Sequence, residues 1–331
     1  MTISEATHAA SPPPGSTAIS ALPRPKTHFW SQRPRPWVTW LACALAVGIF
    51  LVLSTQGEDP LRQGFGAWLA PTAPVIWAGK YWGLVTPAFV HLAWWHVAFN
   101  VYWLWILGSA LERHIGSGKY LLFFIAAAVV SSGMELAFAA TTGIGLSGVV
   151  YAIFGFLWWR RREFPEWATF LNAQTVRLFF VWLVFCFVLT VIKVWTVANA
   201  AHLAGLLFGI STAGGSGLNP KRALLRVAAT GLLAASLVPL FWSPWSARRV
   251  AYEAYVRHTQ GDFPAAIRGY ERSLAMGFEE KEWTLYNLAM AYSAAGDEKH
   301  FLSTMEKLRR VSPAAAREIE SHLTQAAPSR R

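Results

Sequence analysis

Seven apolar runs, at residues 37–53, 88–110, 120–140, 146–159, 177–196, 199–215 and 223–242, leave this chain little choice of fold. A helix needs about 17–25 predominantly apolar residues to cross a bilayer. The runs therefore predict an all-α fold, a polytopic membrane helical bundle. The run at 146–159 is short unless Thr141–Gly145 begins it. That shortness suits a helix starting below the membrane surface, inside a protein-lined cavity. Charged residues make up only 14% of the chain, against roughly 25% in soluble proteins, so the bulk is membrane protein with some soluble sequence attached.

The formal net charge of +11 does not point to nucleic acid. The basic residues cluster beside apolar runs, where they set orientation. Arg24, Lys26, Arg33, Arg35, Arg113, Lys119, Arg160, Arg161, Arg162, Arg177, Lys221, Arg222 and Arg226 fall on one side of a seven-span arrangement, and only Arg62, Lys80 and Lys193 on the other. The richer side is expected to be cytoplasmic, and the N-terminus with it. Arg248 and Arg249, after the last run, sit against that count, and an interfacial helix at 223–242 would instead leave the C-terminal domain cytoplasmic; seven spans are the favoured arrangement. The pattern suits a multi-pass protein of a bacterial plasma (inner) membrane. Cys43 and Cys186 lie inside apolar runs and read as small core residues, with no disulfide framework or cysteine metal site.

Residues 1–36, rich in Pro, Ser, Ala and Thr, read as a disordered cytoplasmic tail. The first run lacks a clear cleavage site and reads as a retained helix, with a cleaved signal peptide as the alternative. Residues 54–85 mix Trp and Tyr with Gly and Pro, as a loop in the membrane interface would. The expected domains are a six-helix core at 37–215, an additional transmembrane helix at 216–243 and a small soluble α-helical domain at 244–331. In that last domain Trp283, Leu288, Ala289, Tyr292, Gly296, Asp297 and Pro313 follow a tetratricopeptide-like pattern, with a weaker copy around Gly261, Asp262, Ala266 and Ile267. Fewer than three such repeats rarely stand alone, so this domain is expected to bind a protein partner or dock on the membrane domain. A generic helical tail is the alternative.

Against this apolar background a few polar residues stand out. Gly145, Ser147 and Gly148 open one run, and small residues are commonly there for close helix packing. However, His202 lies in a later run, and His91, His96 and Asn100 in an earlier one. With alternating spans, the helices bearing Asn100, Ser147 and His202 all enter from the outer side. Ser147 and His202 lie near the outer ends of their runs, and Asn100 is nine residues past His91, about 13 Å deeper at the helical rise. The groups therefore converge at one depth. A serine and a histidine on separate helices make a candidate serine hydrolase. His96 and Asn100, at i,i+4, share a face suited to donating hydrogen bonds to an oxyanion. His91 and His96 are i,i+5, not the pair of a zinc helix, and HExxH is absent, so no metal is expected. His91, at the interface, reads as a structural hydrogen-bonding residue. Tyr151, one turn below Ser147, could pack against an imidazole. No acid accompanies His202 in the later helices, so a Ser147–His202 dyad is the economical proposal. The α/β-hydrolase elbow fits poorly, being G-x-S-x-G between a strand and a helix.

These residues resemble the rhomboid family of intramembrane serine proteases. The family's G-x-S-G motif is matched by Gly145, Leu146, Ser147 and Gly148, and its His with G-x3-G by His202, Gly205 and Gly209. Its H-x4-H-x3-N is matched by His91, His96 and Asn100, its G-x2-LE-x3-G by Gly108, Leu111, Glu112 and Gly116, and its serine-plus-four tyrosine by Tyr151. Over residues 37–215 the resemblance implies a six-helix core, Ser147 as nucleophile and His202 as general base. It implies oxyanion contacts from the Ser147 backbone, His96 and Asn100, no cofactor, and single-span membrane protein substrates cut near the outer face of the bilayer. Many members carry a Trp-Arg pair in the first loop, where this chain has Trp82-Gly83, which leaves the anchoring of that loop unassigned. One alternative function is an inactive rhomboid-like protein that binds membrane clients, with the repeat domain as adaptor. Another is a proton or substrate relay, for which Glu135, expected at a helix end, is the main acid; it would call for more intramembrane acids and an inverted repeat.

Overall fold

A computed structural model describes residues 34–57, 59–214 and 219–326. The chain divides into two units, Met1–Arg35 and Pro36–Arg331, and the second holds everything described below. The tail expected at 1–36 lies almost wholly outside the described residues. The remainder is helical, without a strand among the described residues.

Among the described residues seven helical segments, called passes below, build the bundle. The first is α1 (Trp37–Ser54), and the loop after it contains the short helices α2 (Gly64–Leu69) and α3 (Ala73–Trp77). The second pass joins α4 (Trp94–Trp103) through a π-helical stretch, Leu104–Gly108, to α5 (Ser109–Ile115). Then follow α6 (Ser117–Ala139), α7 (Ser147–Arg160), α8 (Ala173–Val191), α9 (Asn199–Thr212) and α10 (Pro220–Leu237), the last running on as a 3-10 turn to Leu240. Four of the passes, the first, α6, α8 and α10 with its turn, are long and apolar enough to cross a membrane. The second pass departs from the expected run at 88–110. Residues 86–89 form a 3-10 turn around Pro87, and the α-helix starts only after Ala93. His91 therefore precedes the helix, and its depth relative to Asn100 does not follow from the helical rise.

Glu112 shows how an ionisable residue is accommodated. It is 1% exposed, and its carboxylate accepts from Val38 N at 3.0 Å, Thr39 N at 2.8 Å, Thr39 Oγ1 at 2.7 Å and Ser117 Oγ at 2.7 Å. The first amides of α1 have no intrahelical partner, and a buried anion satisfies them while opposing the positive end of the helix dipole. The same carboxylate thereby fastens α1 to the start of α6.

At the centre of the bundle lies α7, buried continuously from Gly148 to Leu157. Its partner α9 approaches so closely that a Cβ at Gly205 would lie 2.1 Å from Gly148 O, and one at Gly209 only 1.9 Å from Ala152 O. Small residues permit such backbone-to-backbone contact between membrane helices. By contrast α8 buries only Phe179 and Cys186 against the bundle and leaves Val181, Val184 and Phe187 exposed, a surface suited to lipid.

We call the end of the bundle at which α7 begins the serine end. There α10 finishes beside α6, with Ser236 O against Gly133. The loop after α1 is anchored without a Trp-Arg pair. Trp82 donates to Trp68 O at 3.0 Å, and a Cβ at Gly83 would already lie 2.5 Å from Pro71 and 2.9 Å from Ile76, so a longer side chain does not fit. The arginine packed on this loop is Arg249, from the C-terminal region, whose guanidinium lies 5.0 Å from the Trp77 ring. Arg249 also pairs with Glu253 at 2.7 Å, and Arg248 with Glu280 at 2.6 Å. Both charges are thus engaged within the C-terminal region instead of standing free beside the last run.

That region holds α11 (Ala247–Thr259), α12 (Phe263–Ala275), α13 (Lys281–Ala295), α14 (Glu298–Val311) and α15 (Pro313–Ala326). The turns α11–α12 and α13–α14 are alike: a glycine with positive φ, Gly261 or Gly296, then an aspartate whose side chain caps the next helix. Tyr270 packs with Leu288 and Tyr292 in one apolar cluster, and Leu285 with Met305, Leu308 and Ile319 in another. Since α13 contributes to both, the helices form one continuous array.

Candidate active site

Residues 140–146 approach the start of α7 in irregular backbone. Ala140, Gly143 and Gly145 have φ of 52°, 67° and 102°, and Gly145 N donates to Pro87 O at 3.0 Å. A Cβ at Gly145 would lie 2.8 Å from His96 Nε2 and 3.4 Å from His91 Nε2. A glycine is therefore required both for its left-handed backbone and for the approach of two imidazoles. This path delivers Ser147 as the first residue of α7, where the leading amides lack intrahelical acceptors and the dipole favours negative charge.

His202 stands in the first turn of α9, 3% exposed, with its Nε2 2.7 Å from Ser147 Oγ. The imidazole is held by packing. The Tyr151 ring lies 4.9 Å from it, inclined at 33°, and the Tyr151 hydroxyl donates to Phe179 O of α8 at 2.9 Å. No side chain reaches His202 Nδ1 among the described residues, so the pair has no carboxylate behind it.

The other singled-out residues sit around this pair. His91 is fully buried; its Nδ1 is 3.3 Å from Phe89 O, and its Nε2 accepts from Leu146 N at 3.5 Å, which ties the second pass to the residue preceding the serine. The His91 and His96 rings meet edge to face at 4.8 Å. Asn100 donates one amide hydrogen to His96 O at 3.0 Å and has a second to offer. His96, Asn100, Ser147, Tyr151 and His202 all line one cavity of about 470 Å³, whose other walls include Phe99, Trp182 and Trp195. Few polar groups converging in a largely apolar cavity is the usual character of a binding site.

Sequence reading did not reach Glu135's part. It is a wall of this cavity, 5% exposed, and its Oε2 accepts from Ala201 N at 3.0 Å, next to His202. It stands near the end of α6, where it was expected, and it is buried there. The available signal was an acid in an apolar run, which is by default a functional hypothesis; its partner, 66 residues away, was not visible in the sequence.

Residues 78–216 match the model of the rhomboid domain. The rhomboid protease GlpG of Salmonella newport (strain SL254) and that of Salmonella typhimurium (strain LT2) are each 32% identical to this chain over 196 residues. That of Salmonella choleraesuis is 31% identical over the same length. The match covers 57% of this chain and 65% of each relative. Helical bundle, membrane-length apolar helices and shared sequence agree in one likeness: over residues 78–216 this integral membrane protein is similar to the rhomboid family, and it spans just under two thirds of the length of the rhomboid proteases it matches.

Proposed function

We propose that the protein is an intramembrane serine endopeptidase with Ser147 as nucleophile and His202 as general base. The observation that carries this reading is the 2.7 Å contact between Ser147 Oγ and His202 Nε2, two groups on different membrane helices facing an apolar cavity. As Oγ attacks the scissile carbonyl carbon, His202 Nε2 takes its proton, then delivers that proton to the leaving amine as the C–N bond breaks. A water activated by the same nitrogen hydrolyses the acyl-enzyme. The oxyanion formed in each step is met by the Ser147 backbone N–H at the start of α7, with His96 and the free Asn100 amide hydrogen within the same cavity. Tyr151 orients the imidazole, and His91 and Gly145 shape the loop that presents the serine.

The substrates are single-span membrane proteins entering from the lipid bilayer and cut near the serine end. The basic residues on the opposite end support a cytoplasmic N-terminus and cleavage at the outer face of a bacterial plasma membrane. The chain is then a core at 37–215, an additional membrane helix at 216–243 and a tetratricopeptide-like domain at 244–331 that holds a protein partner, a division with which the order of the described helices agrees.

The test is cleavage of a labelled single-span substrate by the full chain in lipid, with Ser147→Ala and His202→Ala alongside. A cut near the substrate's outer end that either change abolishes is the expected result. No cut across several substrates, with an active control enzyme working, would replace this reading with client binding without proteolysis.

A further inference from the structure

At the serine end, helix termini are tied together by residues from the C-terminal part of the chain. A helix leaves its last carbonyls without intrahelical donors, and at membrane depth these must be satisfied by protein. Trp245, beyond the seventh pass, donates its indole N–H to Ala137 O in the last turn of α6 at 2.8 Å. Reciprocally, Trp77 in the loop after α1 donates to Pro239 O at the end of the seventh pass at 3.0 Å. The Trp77 ring meets the guanidinium of Arg249 and, at 5.4 Å, the ring of Tyr252. Arg249 is itself held by Glu253 and by Phe241 O.

This fastening falls where α6 most needs it. Past Ala139 the chain enters the irregular segment 140–146 with its three positive φ angles, so no regular element continues α6 at this end. Two residues before Ala137 stands Glu135, whose carboxylate caps α9 at Ala201 N. The next residue is His202.

We propose that the C-terminal helical region is a brace for the catalytic pair. Trp245 and the Trp77 clasp fix the end of α6, and Glu135 transmits that position to α9 and so to His202. Glu135 and Trp245 are positioning residues in this scheme: neither touches the reacting atoms. The proposal rests on the protease reading of Ser147 and His202, and it assigns the C-terminal region a role independent of any partner it binds.

The experiment uses the full chain in lipid nanodiscs with two readouts, the rate at which a fluorophosphonate labels Ser147 and hydrogen exchange at the amides of residues 199–203. Trp245→Phe removes the indole donor, and Glu135→Leu removes the cap. Each is expected to slow labelling and to lower kcat for a membrane substrate by about tenfold with KM unchanged, the result of a displaced catalytic group. Exchange at 199–203 should quicken in both. Glu135→Gln keeps an acceptor for Ala201 N–H and should label within about twofold of wild type. The double variant should be no slower than Glu135→Leu alone, because both act through one chain of contacts.

A purely structural contact would lower the melting temperature but leave labelling per folded molecule unchanged. Trp245→Phe labelling at the wild-type rate with unaltered exchange, or multiplied losses in the double variant, would overturn the brace. Should Glu135→Leu fail to fold, the milder Trp245→Phe still decides it. Should wild type neither label nor cleave, the protease reading fails, while the exchange comparison still tests the brace.

Discussion

Replacing Gly205 by alanine puts the contact between α7 and α9 to the test at the point nearest the catalytic pair. A Cβ at this position lies 2.1 Å from Gly148 O, a backbone atom that no rotamer change can remove. Ordinary contact begins at 3.4 Å, so the helices must part by about 1.3 Å. Gly205 is three residues from His202, and Gly148 adjoins Ser147. A parting of that size along the contact carries the Nε2–Oγ separation from 2.7 Å to about 4 Å, past hydrogen-bond reach. Two losses are expected. Overpacking costs about 1–3 kcal/mol of stability, and a misplacement near 1 Å costs about a hundredfold in rate, equivalent to roughly 2.7 kcal/mol of activation free energy. The control is Gly231→Ala on α10, where nothing lies within 4 Å of the added carbon. There the helix propensity of alanine should leave stability equal or up to about 1 kcal/mol higher, with activity unchanged. The assay pairs thermal unfolding in lipid with the initial rate of cleavage of a labelled membrane substrate, normalised to folded protein. Gly205→Ala behaving like Gly231→Ala in both measurements would refute the reasoning, because it would mean the backbones are not in contact at that depth.

Three further outcomes follow from the structure. Glu112→Ala strands the buried Thr39 donors and the half-buried donors of Val38 and Ser117 and should cost about 3 kcal/mol, with Glu112→Gln milder; equal melting temperatures for the two variants would remove the carboxylate cap from the account of α1. Tyr151→Phe keeps the ring beside His202 and loses only the bond to Phe179 O, so its cleavage rate should stay within about threefold of wild type while Tyr151→Ala falls by about tenfold or more; the reverse order would shift the role from ring to hydroxyl. In the C-terminal array, burial holds the His258 imidazole below its usual range, so on acidification the unfolded chain takes up a proton the folded chain does not. The stability tied to this group is present above the usual histidine range and lost as pH falls through it, so amide protection in α11 and α12, corrected for the intrinsic exchange rate at each pH, should fall from pH 7.5 to 5.5 and fall less in His258→Asn.

Much of this architecture was legible because membrane constraints act locally. Apolar length announces a spanning helix wherever it falls, and Gly261-Asp262 and Gly296-Asp297 announce two similar turns whatever surrounds them. The candidate residues were legible for a related reason, since polar groups in apolar runs are expensive and few. Periodicity misled where the backbone leaves the helix. His91 was given a helical depth, yet Pro87 and the 3-10 turn around it delay α4 to Trp94.

What the sequence alone determined is thus the class of fold, the rough places of the apolar helices and the short roster of candidate polar residues, all consequences of how hydrocarbon treats individual side chains. What only the tertiary structure decided is which of them meet. The 2.7 Å approach of His202 to Ser147, the carboxylate of Glu135 on Ala201, the arginine that holds the first loop arriving from residue 249, and the backbone contact at Gly205 each join residues dozens to more than a hundred positions apart. No local propensity encodes such pairings. They depend on how the helices pack, on orphan amides and carbonyls at helix ends that need partners, and on glycines that let two backbones touch.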